Sequence, residues 1–110
     1  MPIVLFALDC NGIFVLSEGN GLGDYEFEPR DIIGQSIYDL YGHSRIVLDN
    51  FEAALAGEAR SVTFSLGRWA FDTAYEPLRN EQGEVVGVAG IAVNVTERVR
   101  AEQAHKESEI

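Results

Sequence analysis

A chain of 110 residues has room for one domain, and 46% hydrophobic against 24% charged residues is the balance of a globular protein, not of a disordered or fibrous one. Eighteen acidic against eight basic residues leave a formal net charge of -10, which repels phosphate backbones and anionic lipid headgroups and so argues against nucleic acid as a partner. A single cysteine, Cys10, excludes an internal disulfide and a thiolate zinc cluster.

Ile3 to Leu8 is a β-rich apolar run, and Asp9-Cys10-Asn11-Gly12 supplies an Asn-Gly turn that predicts a hairpin into Ile13 to Leu16. Between Ser17 and Asp24, Gly19, Gly21 and Gly23 stand among Glu18 and Asp24, a loop composition. Pro29 suits the first turn of a helix and Gly34 the left-handed residue that ends one, so Arg30 to Ile33 reads as one tight helical turn. Ile37, Leu40 and Tyr41 share a face at helical spacing, and Ile46, Val47, Phe51, Ala54 and Leu55 do so again before Gly57.

After Gly57 the period changes to two. Val62, Phe64 and Leu66 alternate with serine and threonine, and Trp69, Phe71, Thr73 and Tyr75 alternate with Ala70, Asp72, Ala74 and Glu76. Asn80-Glu81-Gln82-Gly83 turns the chain into a last strand from Val85 to Val95, apolar on both faces and therefore central or covered. The whole predicts an α+β fold: a five-stranded antiparallel sheet, short helices over the face bearing Phe64, Trp69, Phe71 and Tyr75, and a polar helix from Thr96 onward. No Gly or Pro follows Gly90 before that helix, so nothing there acts as a swivel.

The longest apolar stretch is about half of a membrane span, and the N-terminus lacks the basic region and cleavage site of a signal peptide; a cytoplasmic location is expected. Asn94-Val95-Thr96 fits the glycosylation pattern, but nothing else points to a secretory route. Catalysis needs a positioned nucleophile or acid/base pair, and His43, His105, Cys10 and scattered carboxylates have no such spacing. No enzyme activity is expected within this segment. His105 reads as an exposed helix residue. Glu18, Asp24, Glu26, Glu28 and Asp31 lack the spacing of a metal loop and read as a solvated face.

In this order, Asp9-Cys10-Asn11-Gly12, Glu28-Pro29-Arg30-Asp31-Ile32-Ile33-Gly34-Gln35-Ser36, Tyr75-Glu76-Pro77-Leu78-Arg79-Asn80-Glu81-Gln82-Gly83 and Asn94-Val95-Thr96-Glu97-Arg98 resemble a PAS domain nearly end to end. The resemblance implies a sensory module at residues 1–95, with residues 96–110 beginning an output helix. The output domain, such as a histidine kinase of a two-component system or a diguanylate cyclase, would lie elsewhere in the parent polypeptide. The chain is expected to be a piece of that parent, since it begins at the first strand without the helical cap of many relatives and stops inside the outgoing helix. In the family the closing motif begins with Asp; here Asn94 stands there, able to cap a helix but not to form the salt bridge of a carboxylate.

Any ligand site would lie between sheet and helices. Phe64, Trp69, Phe71, Thr73 and Tyr75 would line it, Tyr38, Tyr41, Ile46 and Phe51 would close it, and Ala92 would leave space on the last strand. A small apolar or aromatic molecule suits such a lining, with Thr73 as its polar handle; the competing reading is that these side chains simply fill the core. No cofactor is required. Some relatives bind haem through a histidine on the covering helix, but Gly42-His43-Ser44 reads as a solvent-facing helix entrance. Flavin relatives use a middle-helix cysteine and a late-strand amide, whereas here Cys10 is in the first turn and Ala92 stands at the amide's place.

Relay would run through Asn94, Thr96, Glu97 and Arg98. The short polar helix beyond is marginal in water, so it either docks on its own sheet or pairs with a second copy as the start of a coiled coil, and a homodimer is expected. The alternative is a ligand-free interaction module that dimerises through the outer sheet face, with Ile91 and Val93.

Overall fold

The computed structural model of the chain describes residues 3–19 and 29–108. Gly21, Gly23, Asp24, Glu26 and Glu28 lie outside the described residues, as do the side chains of Leu66, His105 and Lys106. Five strands form one antiparallel sheet: β1 (Ile3–Asp9), β2 (Phe14–Gly19), β3 (Arg60–Leu66), β4 (Trp69–Arg79) and β5 (Val85–Asn94), in the order β2-β1-β5-β4-β3. The strand that is apolar on both faces is thus the central one, with both of its edges paired, one face under the helices and Ile91 and Val93 half-buried on the other.

Register fixes which side chains meet. Val4, Phe6 and Leu8 of β1 stand opposite Ala92, Gly90 and Val88 of β5, which stand opposite Thr73, Tyr75 and Pro77 of β4. These rows carry the buried face. Over it lie a 3-10 turn (Pro29–Ile32), α1 (Ile37–Tyr41) and α2 (Arg45–Leu55). α2 crosses β3, β4 and β5 and buries Val47, Phe51 and Ala54 there. With Phe6, Leu8, Phe14, Ile32, Ile37, Tyr75 and Val88 they form the core. Burial at this density, not helix propensity, holds such short helices in place.

The first hairpin departs from a simple two-residue turn. The Asp9 carboxylate accepts from the backbone N–H of Asn11 (2.9 Å) and Ile13 (3.0 Å), and Gly12 takes φ 81°, a region that favours glycine. Ile13, whose carbonyl accepts from Asp9 N–H at 3.0 Å, also bridges Ser36, and β2 starts at Phe14, running on to Gly19. Val15 is the extra residue of a bulge, since Leu8 pairs Phe14 while Ala7 pairs Leu16. Three backbone bonds (Phe14 N–H to Gln35 O, Gly34 N–H to Phe14 O, Ile37 N–H to Gly12 O) tie the covering segment to this hairpin. Ser36 caps α1, its Oγ accepting from Tyr38 N–H at 3.1 Å.

Candidate functional site

β4 supplies the inward row Phe71, Thr73 and Tyr75, all buried, flanked by Phe64 of β3 and Ala92 of β5, with Phe51 of α2 above and Tyr41 of α1 at the margin. Aromatic edges organise this space. Phe6 stands edge-on to Tyr75 at 5.8 Å and to Phe14 at 6.3 Å, and Phe64 is tilted on Phe71 at 5.8 Å. Phe51 and Tyr75, at 0% and 2% exposure, are packed members of the core. Burial, and secondarily the neighbouring Tyr41, pushes the Tyr75 phenol far above its ordinary value, so it is a neutral hydrogen-bonding group at any physiological pH.

Polar atoms in this face are few. Thr73 is 4% exposed, and its hydroxyl has no hydrogen-bond partner. Ser17 of β2, 0% exposed, is in the same condition. The sequence reading ended β2 at Leu16 and so missed Ser17; the extra residue at Val15, which shifts the alternation by one, is what turns Ser17 inward.

Other residues assigned to the lining stand elsewhere. Tyr38 is 42% exposed and lies between helices: its hydroxyl donates to Glu52 at 3.3 Å and its ring meets Phe51 edge-on at 6.1 Å. Ile46 is 38% exposed, a step of about 100° around the helix from buried Val47. Trp69 is half-buried at the β3–β4 turn, with the Arg68 guanidinium 4.9 Å above its ring. His43 is exposed in the turn between α1 and α2. Among the described residues, no group of three or more His, Cys, Asp or Glu is placed to hold a metal ion.

The second half of the site is the junction of β5 with α3 (Thr96–Ser108). The Asn94 side-chain oxygen accepts from Thr96 N–H at 3.0 Å and from Thr96 Oγ1 at 2.7 Å, an Asx turn that directs the chain into the helix. Thr96 is 5% exposed, and its Oγ1 accepts from Ala70 N–H at 2.9 Å, while Val95 N–H donates to Ala70 O at 2.9 Å. Two residues on, the Arg98 guanidinium reaches Asp72 of β4 at 3.2 Å and Glu102 at 3.8 Å. Glu97 is exposed. β4, which forms the buried wall, therefore also holds the first turn of the outgoing helix.

A sequence profile of the PAS fold matches residues 1–100. This chain belongs to the PAS family. The solved sensory box sensor histidine kinase from Vibrio cholerae is 14% identical and superposes with a TM-score of 0.67 over 86% of this chain and 82% of that one. The PAS domain of histidine kinase ThkA is 15% identical, with a TM-score of 0.66 over 86% and 99% of the two chains. An RNA-binding light-oxygen-voltage receptor is 18% identical, with a TM-score of 0.69 over 97% of this chain and 33% of that one. No match is found among curated proteins. At these identities the likeness is one of fold, and it agrees with the five-stranded antiparallel sheet and its helices. PAS modules are sensory, not catalytic. Among the described residues, no helix of this one is long and apolar enough to cross a membrane.

Proposed function

We propose that this PAS module is a cytoplasmic regulatory sensor in which a small apolar or aromatic molecule, or another signal, alters packing beneath the sheet and β5 and α3 relay the change to an output domain of the same polypeptide. A histidine kinase or a diguanylate cyclase is the kind of output such a module precedes. The observation that carries this reading is the adjacency of the two halves of the site on β4: Thr73, buried with an unpartnered hydroxyl, lies three residues from Ala70, whose N–H and C=O hold Thr96 and Val95. A ligand that gives Thr73 its missing partner gains that bond only in the conformation that admits it, which is the differential affinity a switch needs. Shifting an output tenfold takes about 1.4 kcal/mol.

Native mass spectrometry with an absorption spectrum of the purified protein tests it. A co-purifying small molecule displaced by Ala92→Leu is the expected result; protein that stays empty after screening apolar and aromatic compounds overturns it.

A second reading is favoured by one observation. The face of the sheet away from α2 carries Leu5, 51% exposed, and Leu16, 40% exposed, beside half-buried Ile3, Ile91 and Val93. An apolar patch of that kind suits a homodimer and a ligand-free interaction module. Leu5→Lys with Ile91→Lys converting a dimer to a monomer, with no ligand ever found, supports it; a monomeric unsubstituted chain excludes it.

A further inference from the structure

Asn94 carries no charge, and the Arg98 guanidinium pairs with Asp72 on β4 at 3.2 Å, the longer contact to Glu102 at 3.8 Å lying along α3 itself. Asp72 points to the sheet face opposite Thr73, directly across from Thr63 of β3 on one side and Val93 of β5 on the other. Thr63 Oγ1 donates to its Oδ1, while Arg98 Nη1 donates to Oδ2 at 3.2 Å and Arg98 Nη2 to Oδ1 at 3.5 Å. The carboxylate thus joins β3, β4 and α3. Each partner sits one residue from an inward side chain: Thr63 between Val62 and Phe64, Asp72 between Phe71 and Thr73.

We propose that Asp72 is the seat of the outgoing helix: the Thr63–Asp72–Arg98 clasp holds α3 on the β3–β4 hairpin, so that the hairpin, and not β5 alone, sets the position of α3. Asp72 and Arg98 are positioning residues. Any consequence for signalling rests on the sensor reading above, but the clasp does not, and its test reads the helix alone. Both side chains are part-exposed, so the clasp tips a docked helix against a loosened one and does not hold the fold together.

Hydrogen exchange of the 1–110 chain, followed amide by amide, compares Asp72→Asn, Arg98→Gln and the double variant. Each single substitution is expected to speed exchange at the amides of Val99 to Glu102 by about two- to fivefold, with β1 and β5 amides unchanged and the double variant no faster than Arg98→Gln, which also gives up the contact to Glu102. Thr63→Val moves the same amides by less. Singles that leave α3 unchanged, or effects that multiply in the double variant, overturn the proposal. Should a variant loosen the whole sheet, the unsubstituted protein decides: raising salt from about 0.05 M to 1 M must speed α3 exchange while sparing β5, and a helix indifferent to salt refutes the clasp.

Discussion

The ring of Phe6 rests on the backbone of Gly90, its direct partner across β1 and β5: a β-carbon at position 90 would overlap the ring and also the carbonyl oxygen of Ala74 on β4. Glycine here serves close approach, since it lets the Phe6 ring lie flat enough on the sheet to meet Phe14 and Tyr75 edge-on. Gly90→Ala is therefore expected to lower stability by about 1–3 kcal/mol in urea unfolding. Adding Phe6→Leu recovers only part of that, because the Ala74 carbonyl cannot move aside without breaking the β4–β5 ladder. An unchanged unfolding midpoint for Gly90→Ala would show that the ring has somewhere else to go.

Most of the fold was legible from pattern. β5 reads as central because a strand apolar at both Val88 and Ile91, on opposite faces, suits a position with both edges paired, and the Asn94-Val95-Thr96 turn marks where strand gives way to helix. The lining was less legible. Helical spacing identifies an apolar face but spreads it over enough arc to include Ile46 beside Val47, while Tyr38, expected to close the site, is not on the spaced face of Ile37, Leu40 and Tyr41, and only packing decides which residue turns in. Ser17 was hidden by a bulge that period-two counting cannot see. In the sequence Asp72 is only one of the residues that alternate with the apolar row of its strand, because the partner that gives it meaning is on a helix 26 residues later.

Thr73 is a polar group in the wrong solvent. With its hydroxyl buried and unpartnered, the threonine forgoes the hydrogen bonds it would make with water, a cost that an isosteric valine does not bear. Thr73→Val is expected to leave the protein as stable or more stable, by up to about 1–2 kcal/mol, in the absence of any ligand. Thermal unfolding with and without added ligand checks this: the valine variant should gain in the free state and lose any ligand-induced rise in midpoint. A clear loss of stability in the free protein would mean that Thr73 already has a partner.

At the junction, the amide of Asn94 works through its oxygen, which satisfies two donors of Thr96 at once. Asn94→Asp keeps that oxygen and is expected to change stability little, while Asn94→Ala strips both bonds and should cost about 1 kcal/mol, comparable to the loss of a helix cap. Circular dichroism at 222 nm together with urea unfolding separates the outcomes. Equal stability of the alanine and aspartate variants would place the anchor of Thr96 wholly on Ala70.

Tyr75 gives a pH signature with a definite sign. Its phenol is held protonated in the fold, by burial first and by Tyr41 second, whereas in the unfolded chain it ionises near pH 10. The folded pKa lies above the unfolded one, so its contribution to stability is whole below about pH 10 and is lost as pH rises from there, at up to about 1.4 kcal/mol per pH unit. Tyr75→Phe removes the ionising group and keeps the ring. Urea midpoints at pH 9 and pH 11 should therefore fall further for the unsubstituted protein than for Tyr75→Phe, the other titrating groups being common to both. A parallel fall would mean that the phenol exchanges its proton with water while the sheet is intact, and that the space around it is open.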